Sequence, residues 1–149
     1  MMLKQKIYDH YLQLINERIA RLQQVLADLK ESGANETKST AGDKHETALA
    51  MLQIEQANTR AQVQELVLQK AALEKIDASL SAPMVANGSL IKTSRGYLFM
   101  SIALGKAEVE DTMVIAISPQ SPLGQKLMGL KTGEAALMNG IEYIVESIG

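Results

Sequence analysis

An α+β protein, with a long antiparallel coiled-coil helical hairpin ahead of a small, mostly antiparallel β domain carrying one short helix, is what this sequence predicts. Three observations predict it. Two heptad-patterned segments without proline flank one short polar connector, the periodicity stops at Ser79-Leu80-Ser81-Ala82-Pro83, and the residues beyond fall into short β-like runs punctuated by turn residues. The expected domains are therefore residues 1–80 for the hairpin, with its tip near 33–46, and residues 84–149 for the β domain.

The first segment runs from Leu3 to about Ser32 without Pro or Gly, and Ile7, Tyr11, Leu14, Leu22, Val25 and Leu29 recur in steps of four and three, with Arg18 in the one gap. This is a heptad seam, widened by Ile15, Ile19 and Leu26. At 1.5 Å rise per residue it makes a rod of roughly 45 Å. Gly33 is expected to end the helix, and the small polar residues that follow, through Gly42, read as a loop. A second helix is expected from near Asp43. Its seam passes through Leu49, Leu52, Val63, Leu66 and Leu73, with Gln56, Thr59 and Lys70 at the intervening positions. Those polar residues weaken the packing but help to fix register. Matched lengths and a short connector make an intramolecular antiparallel hairpin the simplest arrangement, with a parallel homodimer as its competitor.

Beyond residue 83 the runs 89–93, 97–103 and 113–118 read as strands, separated by the turns Ser94-Arg95-Gly96 and Leu104-Gly105-Lys106. Ser121 as N-cap, Pro122 at the first helical position and Gly129 at the end mark a short helix. Residues 135–138 and 141–145 form a hairpin around Asn139-Gly140, the sequence of a type I′ turn.

Composition narrows the function. A formal charge of −2 over 149 residues does not suit a general nucleic-acid binder, so no sequence-specific DNA contact is expected and any contact with nucleic acid is indirect. Cysteine is absent, which removes disulfides, thiolate metal sites and cysteine nucleophiles. No apolar run approaches the ~20 residues of a membrane span, and Met1-Met2-Leu3-Lys4 leads straight into charged helical sequence, so a cytoplasmic protein without membrane contact is expected. Aromatics are Phe99 and four tyrosines, little material for base stacking or a ligand cage.

Few residues carry candidate chemistry. His10 and His45 are the only histidines and neither lies beside an elbow-type serine; no phosphate-cradling glycine loop is present, and Asn87-Gly88-Ser89 reads as a turn entering a strand. The exception is Gly42-Asp43-Lys44-His45-Glu46. Asp43 and Glu46 on the first turn of a helix point roughly the same way, about 5–6 Å apart at Cβ, close enough to share a divalent cation. Asp-x-x-Glu at a helix start is also a capping box, each side chain satisfying a free backbone N–H. Spacing alone leaves both readings open, and two exposed carboxylates hold a cation weakly without further ligands.

The segment Ile117-Ser118-Pro119-Gln120-Ser121-Pro122-Leu123-Gly124-Gln125-Lys126-Leu127-Met128-Gly129-Leu130-Lys131-Thr132-Gly133 resembles the C-terminal signature of the bacterial Gre transcription elongation (transcript cleavage) factors, Ile-Ser-x-x-Ser-Pro-Leu-Gly-x-x-Leu-x-Gly-x-x-x-Gly. Gly42-Asp43-Lys44-His45-Glu46 is similar to that family's tip motif Gly-Asp-x-x-Glu. The resemblance spans nearly the whole chain and implies an FKBP-like β domain docked at the rim of the RNA polymerase secondary channel, with the hairpin passing inward. It implies no enzyme in its own right: Asp43 and Glu46 would help to hold a second Mg²⁺ shared with polymerase, which then hydrolyses backtracked RNA. Lys44 or Lys38 would lie near RNA phosphates. Ser121, Pro122, Leu123 and Gly124 would serve either as part of the polymerase dock or as structure. Three rival expectations accompany it: a channel-binding regulator without cleavage, a prolyl isomerase using Tyr97, Phe99 and Tyr143, and a coiled-coil adaptor with an exposed apolar stripe on its hairpin.

Overall fold

The computed structural model describes residues 2–36 and 43–149, with the backbone alone for 35, 36 and 43–45. Two long helices, α1 (Leu3–Glu36) and α2 (Asp43–Glu74), precede β1 (Leu90–Thr93), β2 (Gly96–Met100), β3 (Gly105–Val109), β4 (Thr112–Ile117), α3 (Pro122–Leu127), β5 (Ala135–Met138) and β6 (Ile141–Ile148). The α+β class is as the sequence predicts. The chain forms two compact units, Leu14–Lys70 and Met1–Gln13 with Ala71–Gly149, so their division runs through both helices.

In the helical unit α1 and α2 run antiparallel. Gln56 Nε2 donates to the Leu29 carbonyl at 3.2 Å, while Leu22 shares a groove with Gln62 and Leu66 farther along α2. The seam of α2 is the expected one: Leu49, Leu52, Gln56, Val63, Leu66 and Lys70 are half-buried and Thr59 is buried. On α1 the seam is shifted from the expected set. It follows Ile15, Ile19, Leu22, Leu26, Leu29 and Gly33, and Val25 stands 39% exposed. This register has the same alternation of four and three but needs no charged residue in the gap, because Ile19 takes the place that Arg18 would have filled. The helix also continues through Gly33 to Glu36. Gly33 lies on the seam, where an added Cβ would stand 3.6 Å from Gln56 Nε2, an ordinary packing distance, so it faces α2 and does not terminate the helix.

The other unit holds a six-stranded sheet in the order β3-β4-β2-β1-β6-β5, antiparallel except for β2 beside β4. Six strands replace the five expected. Gly105 opens β3 where a turn was expected, and the β3–β4 hairpin turns through Glu110 and Asp111 at φ 54° and 60°. Two acidic residues in the left-handed region carry none of the Asn-Gly signal that marks such turns. Asn139-Gly140, which does carry it, forms the expected turn with φ 53° and 78°.

Both faces of the sheet are covered within this unit. Leu98 and Met100 of β2 join Ile91, Val145 and Leu127 of α3 in one core, with Leu123 packed against it. Phe99, on the alternate face as strand pleating requires, stacks on Tyr11 of α1 with ring centroids 6.2 Å apart. Ile7, Tyr11 and Leu73 are fully buried, so the first turns of α1 and the last turn of α2 belong to the core of the β unit. The Tyr11 hydroxyl donates to the Gly105 carbonyl at 2.7 Å, with the Val114 carbonyl at 3.2 Å, tying α1 to β3 and β4. Burial pushes its pKa up to about 12. Among the described residues no helix is long and apolar enough to cross a membrane.

Candidate functional site

The expected acid pair lies where a helix begins. α2 starts at Asp43, which puts Asp43 and Glu46 together on its first turn, and the Glu46 side chain is exposed. The side chains of Asp43, Lys44 and His45, and the whole of 37–42 including Lys38, lie outside the described residues. The backbone therefore places residues 43 and 46 in i, i+3 relation on one helical turn. Among the described residues no three His, Cys, Asp or Glu side chains converge on a common point. Two carboxylates alone would supply at most part of the six oxygens that Mg²⁺ takes in octahedral geometry.

The second candidate region is built in detail around α3. Ser121 sits in extended conformation ahead of the helix and its Oγ accepts from Gly124 N–H at 3.0 Å, an N-cap, while Pro122 takes a first-turn position where no N–H is needed. The Ser121 hydroxyl in turn donates to the Ser118 carbonyl at 2.7 Å, and Ser121 N–H reaches the same oxygen at 3.0 Å. Ser118 Oγ accepts from Gln120 N–H at 3.0 Å, which closes the preceding turn. Gly124 is buried against this turn. A Cβ there would overlap the Ser118 carbonyl oxygen and stand 2.8 Å from Ser121 Oγ, so no other residue fits. Leu123 and Leu127 turn inward to the core while Pro122 is exposed. Ser121, Leu123 and Gly124 thus shape the segment from within, and Pro122 is the member of this quartet that stands in solvent. At the far end the Gly129 N–H donates to the Val85 carbonyl at 2.8 Å, binding the segment to the chain that enters the sheet.

Other residues singled out from sequence fall into structural places. His10 is exposed on α1, its ring edge-on to Tyr11. Phe99 is fully buried beneath Tyr11, and Tyr97 and Tyr143 are half-buried, so Phe99 lines no open pocket of the kind an isomerase would need. Asn87-Gly88-Ser89 forms the expected turn, with Ser89 N–H to the Ala86 carbonyl at 3.0 Å and Gly88 at φ +92°. On α2 Met51, Ile54, Val67 and Leu68 are exposed, between 41% and 61%. Sequence reasoning passed over Lys4 altogether. It lies in an ordinary charged helix start, and nothing in the local pattern marks a lysine that ends up 5% exposed.

No family model matches the chain. No curated protein matches it either. One solved structure, that of the transcription factor Gfh1, is similar over 99% of this chain and 94% of that chain at 18% identity, with a TM-score of 0.32. At that score the likeness carries no argument, and the functional reading rests on the residues.

Proposed function

We propose that this protein is a Gre-like transcription elongation factor that binds RNA polymerase through its secondary channel and stimulates cleavage of backtracked RNA. The observation that carries the reading is the start of α2 at Asp43, which sets Asp43 and an exposed Glu46 on one helical turn at the connected end of an antiparallel hairpin. The Ser-Pro-Leu-Gly segment supports it, because each of its residues has a distinct role in one rigid turn-and-helix unit that would present Pro122 to a partner.

In this mechanism Asp43 and Glu46 act as cation-holding groups and do no covalent chemistry. Each would offer carboxylate oxygens, polymerase carboxylates would complete the set, and a Mg²⁺ so held would supply an oriented, activated water at the RNA phosphodiester. Lys44 and Lys38 lie on the same stretch of chain, suited to RNA phosphates by charge. A carboxylate used for capping has fewer lone pairs for a cation, so engagement with polymerase exchanges one role for the other.

A second reading, occupancy of the channel without cleavage, is favoured by a specific observation. Glu46 is followed by Thr47-Ala48-Leu49-Ala50, where the Gre pattern has a further acid and an aromatic. The deciding experiment is RNA release from a stalled, backtracked complex of the cognate polymerase with wild type and with Asp43→Ala/Glu46→Ala. Short 3′ fragments with wild type alone establish the tip acids as the cleavage device. Competition for polymerase without fragments from either protein selects the second reading, and neither activity removes both.

A further inference from the structure

In the β unit, Lys4 and Asp77 border a cavity of about 360 Å³ closed on one side by the turn Ala86–Ser89. We propose that this cavity binds a small organic carboxylate, held between the ammonium groups of Lys4 and Lys75 with its aliphatic body against Ile76 and Leu80. Lys4 is 5% exposed, yet its Nζ makes one hydrogen bond among the described residues, to the Leu80 carbonyl at 2.5 Å. An ammonium carries three donors, so two remain. The nearest carboxylate is already engaged, Asp77 Oδ1 accepting from Ser79 N–H at 2.9 Å and from Ser79 Oγ at 2.5 Å. Those bonds hold the Asp77 carboxyl below its usual range, but its attraction for Lys4 is outweighed by burial, which lowers the Lys4 pKa. A partly desolvated cation without a contact counter-ion is costly, and an anion in the adjoining cavity offsets that cost.

The walls select the anion. Lys75 is exposed at the cavity and has no ion pair among the described residues, so a second cation is available. Asp77, also in the lining, opposes a dianion more strongly than a monoanion and so disfavours phosphate relative to a monocarboxylate. Ile76, Leu80, Ala82 and Ala86 supply apolar surface that a short aliphatic chain can cover and a hydrated phosphate cannot.

The test is an amide NMR titration of the full chain with sodium butyrate at constant ionic strength, with chloride and inorganic phosphate as comparison anions. Saturable shifts at Gly88 and Ser89 are expected with a Kd on the order of 1 mM. Lys75→Gln, a surface change, is expected to weaken binding ~10-fold, and Lys4→Met, checked for folding by circular dichroism, to abolish it. Absence of saturation by wild type at roughly 100 mM butyrate overturns the proposal. So does equal affinity for phosphate, or a Lys75→Gln affinity equal to that of wild type, which decides the matter even if Lys4→Met does not fold.

Discussion

Replacing Gly124 by alanine adds one methyl group and is expected to be among the most damaging single changes in the β unit. The new Cβ would overlap the Ser118 carbonyl oxygen, and its other neighbours would be Ser121 Oγ at 2.8 Å and the Ser118 carbonyl carbon at 3.0 Å. Two of these three atoms are backbone, so no side-chain rotation relieves the contact. The turn must open, and opening it parts the Ser121 Oγ acceptor from Gly124 N–H. Overpacking costs about 1–3 kcal/mol and loss of an N-cap about 0.5–2, which together give roughly 1.5–5 kcal/mol. In urea, at a slope of about 2 kcal/mol/M, this is a fall in midpoint of roughly 1–2.5 M, read by circular dichroism at unchanged slope. Ser121→Ala loses the cap without the overlap, so it should cost about 1 kcal/mol. The reasoning fails if Gly124→Ala unfolds within about 0.5 kcal/mol of wild type, or if Ser121→Ala is the worse of the two.

Tyr11→Phe removes the bond to Gly105 and should cost about 1 kcal/mol in the same assay at pH 7. Because the folded-state pKa of Tyr11 is raised from 10 to about 12, its contribution is complete below pH 10 and is lost as pH climbs from 10 to 12; wild type should lose about 2–3 kcal/mol more than Tyr11→Phe over that interval. Thr59, buried in the helical seam with its hydroxyl bonded to the Glu55 carbonyl of its own helix, should yield a hairpin stabilised by about 0.5–1 kcal/mol when changed to Val, measured by thermal melting; a less stable protein would mean the hydroxyl matters to the seam. If the exposed Met51, Ile54 and Leu68 form a dimerisation stripe, sedimentation of wild type will show a concentration-dependent dimer that Ile54→Lys/Leu68→Lys abolishes; a monomer throughout removes the self-associating form of the adaptor reading.

How far the fold could be read depended on whether each signal was local. The α2 seam was legible through its polar members, because heptad spacing fixes Gln56 and Thr59 as firmly as Leu52 and Val63. The α1 seam was misread by one position, since Leu14 and Ile15, and Val25 and Leu26, are adjacent apolar pairs between which spacing cannot choose. What chooses is tertiary burial, which takes Ile15 fully and Leu26 half out of solvent and leaves Val25 39% exposed. Gly33 illustrates the same limit: in sequence a glycine before a polar run signals a helix end, and only the approach of Gln56 reveals a seam position. The β3–β4 hairpin escaped because Glu110 and Asp111 occupy left-handed backbone at a cost Asn-Gly would avoid. Lys6, whose Nζ lies 3.1 Å from Glu110 Oε1, gives that turn a tertiary contact that no local pattern contains.

The candidate site divides along the same line. Around α3 the sequence was sufficient, because an N-cap, a first-turn proline and a glycine under steric compulsion each leave a residue-type mark within four positions. At the start of α2 it was not, for a physical reason: two carboxylates at i and i+3 satisfy backbone N–H groups and a divalent cation with the same oxygens. The choice between them is made by whatever charge arrives, and the donors that would complete an octahedral ion are not among those this helical turn supplies. Substitution can still separate the roles. Asp43→Asn and Glu46→Gln retain side-chain oxygens for capping while removing the anionic charge that holds Mg²⁺. A protein of unchanged thermal stability that no longer releases 3′ RNA fragments therefore assigns the acids to the ion, whereas fragments still released by this variant, with stability lost only in Asp43→Ala/Glu46→Ala, assign them to the cap.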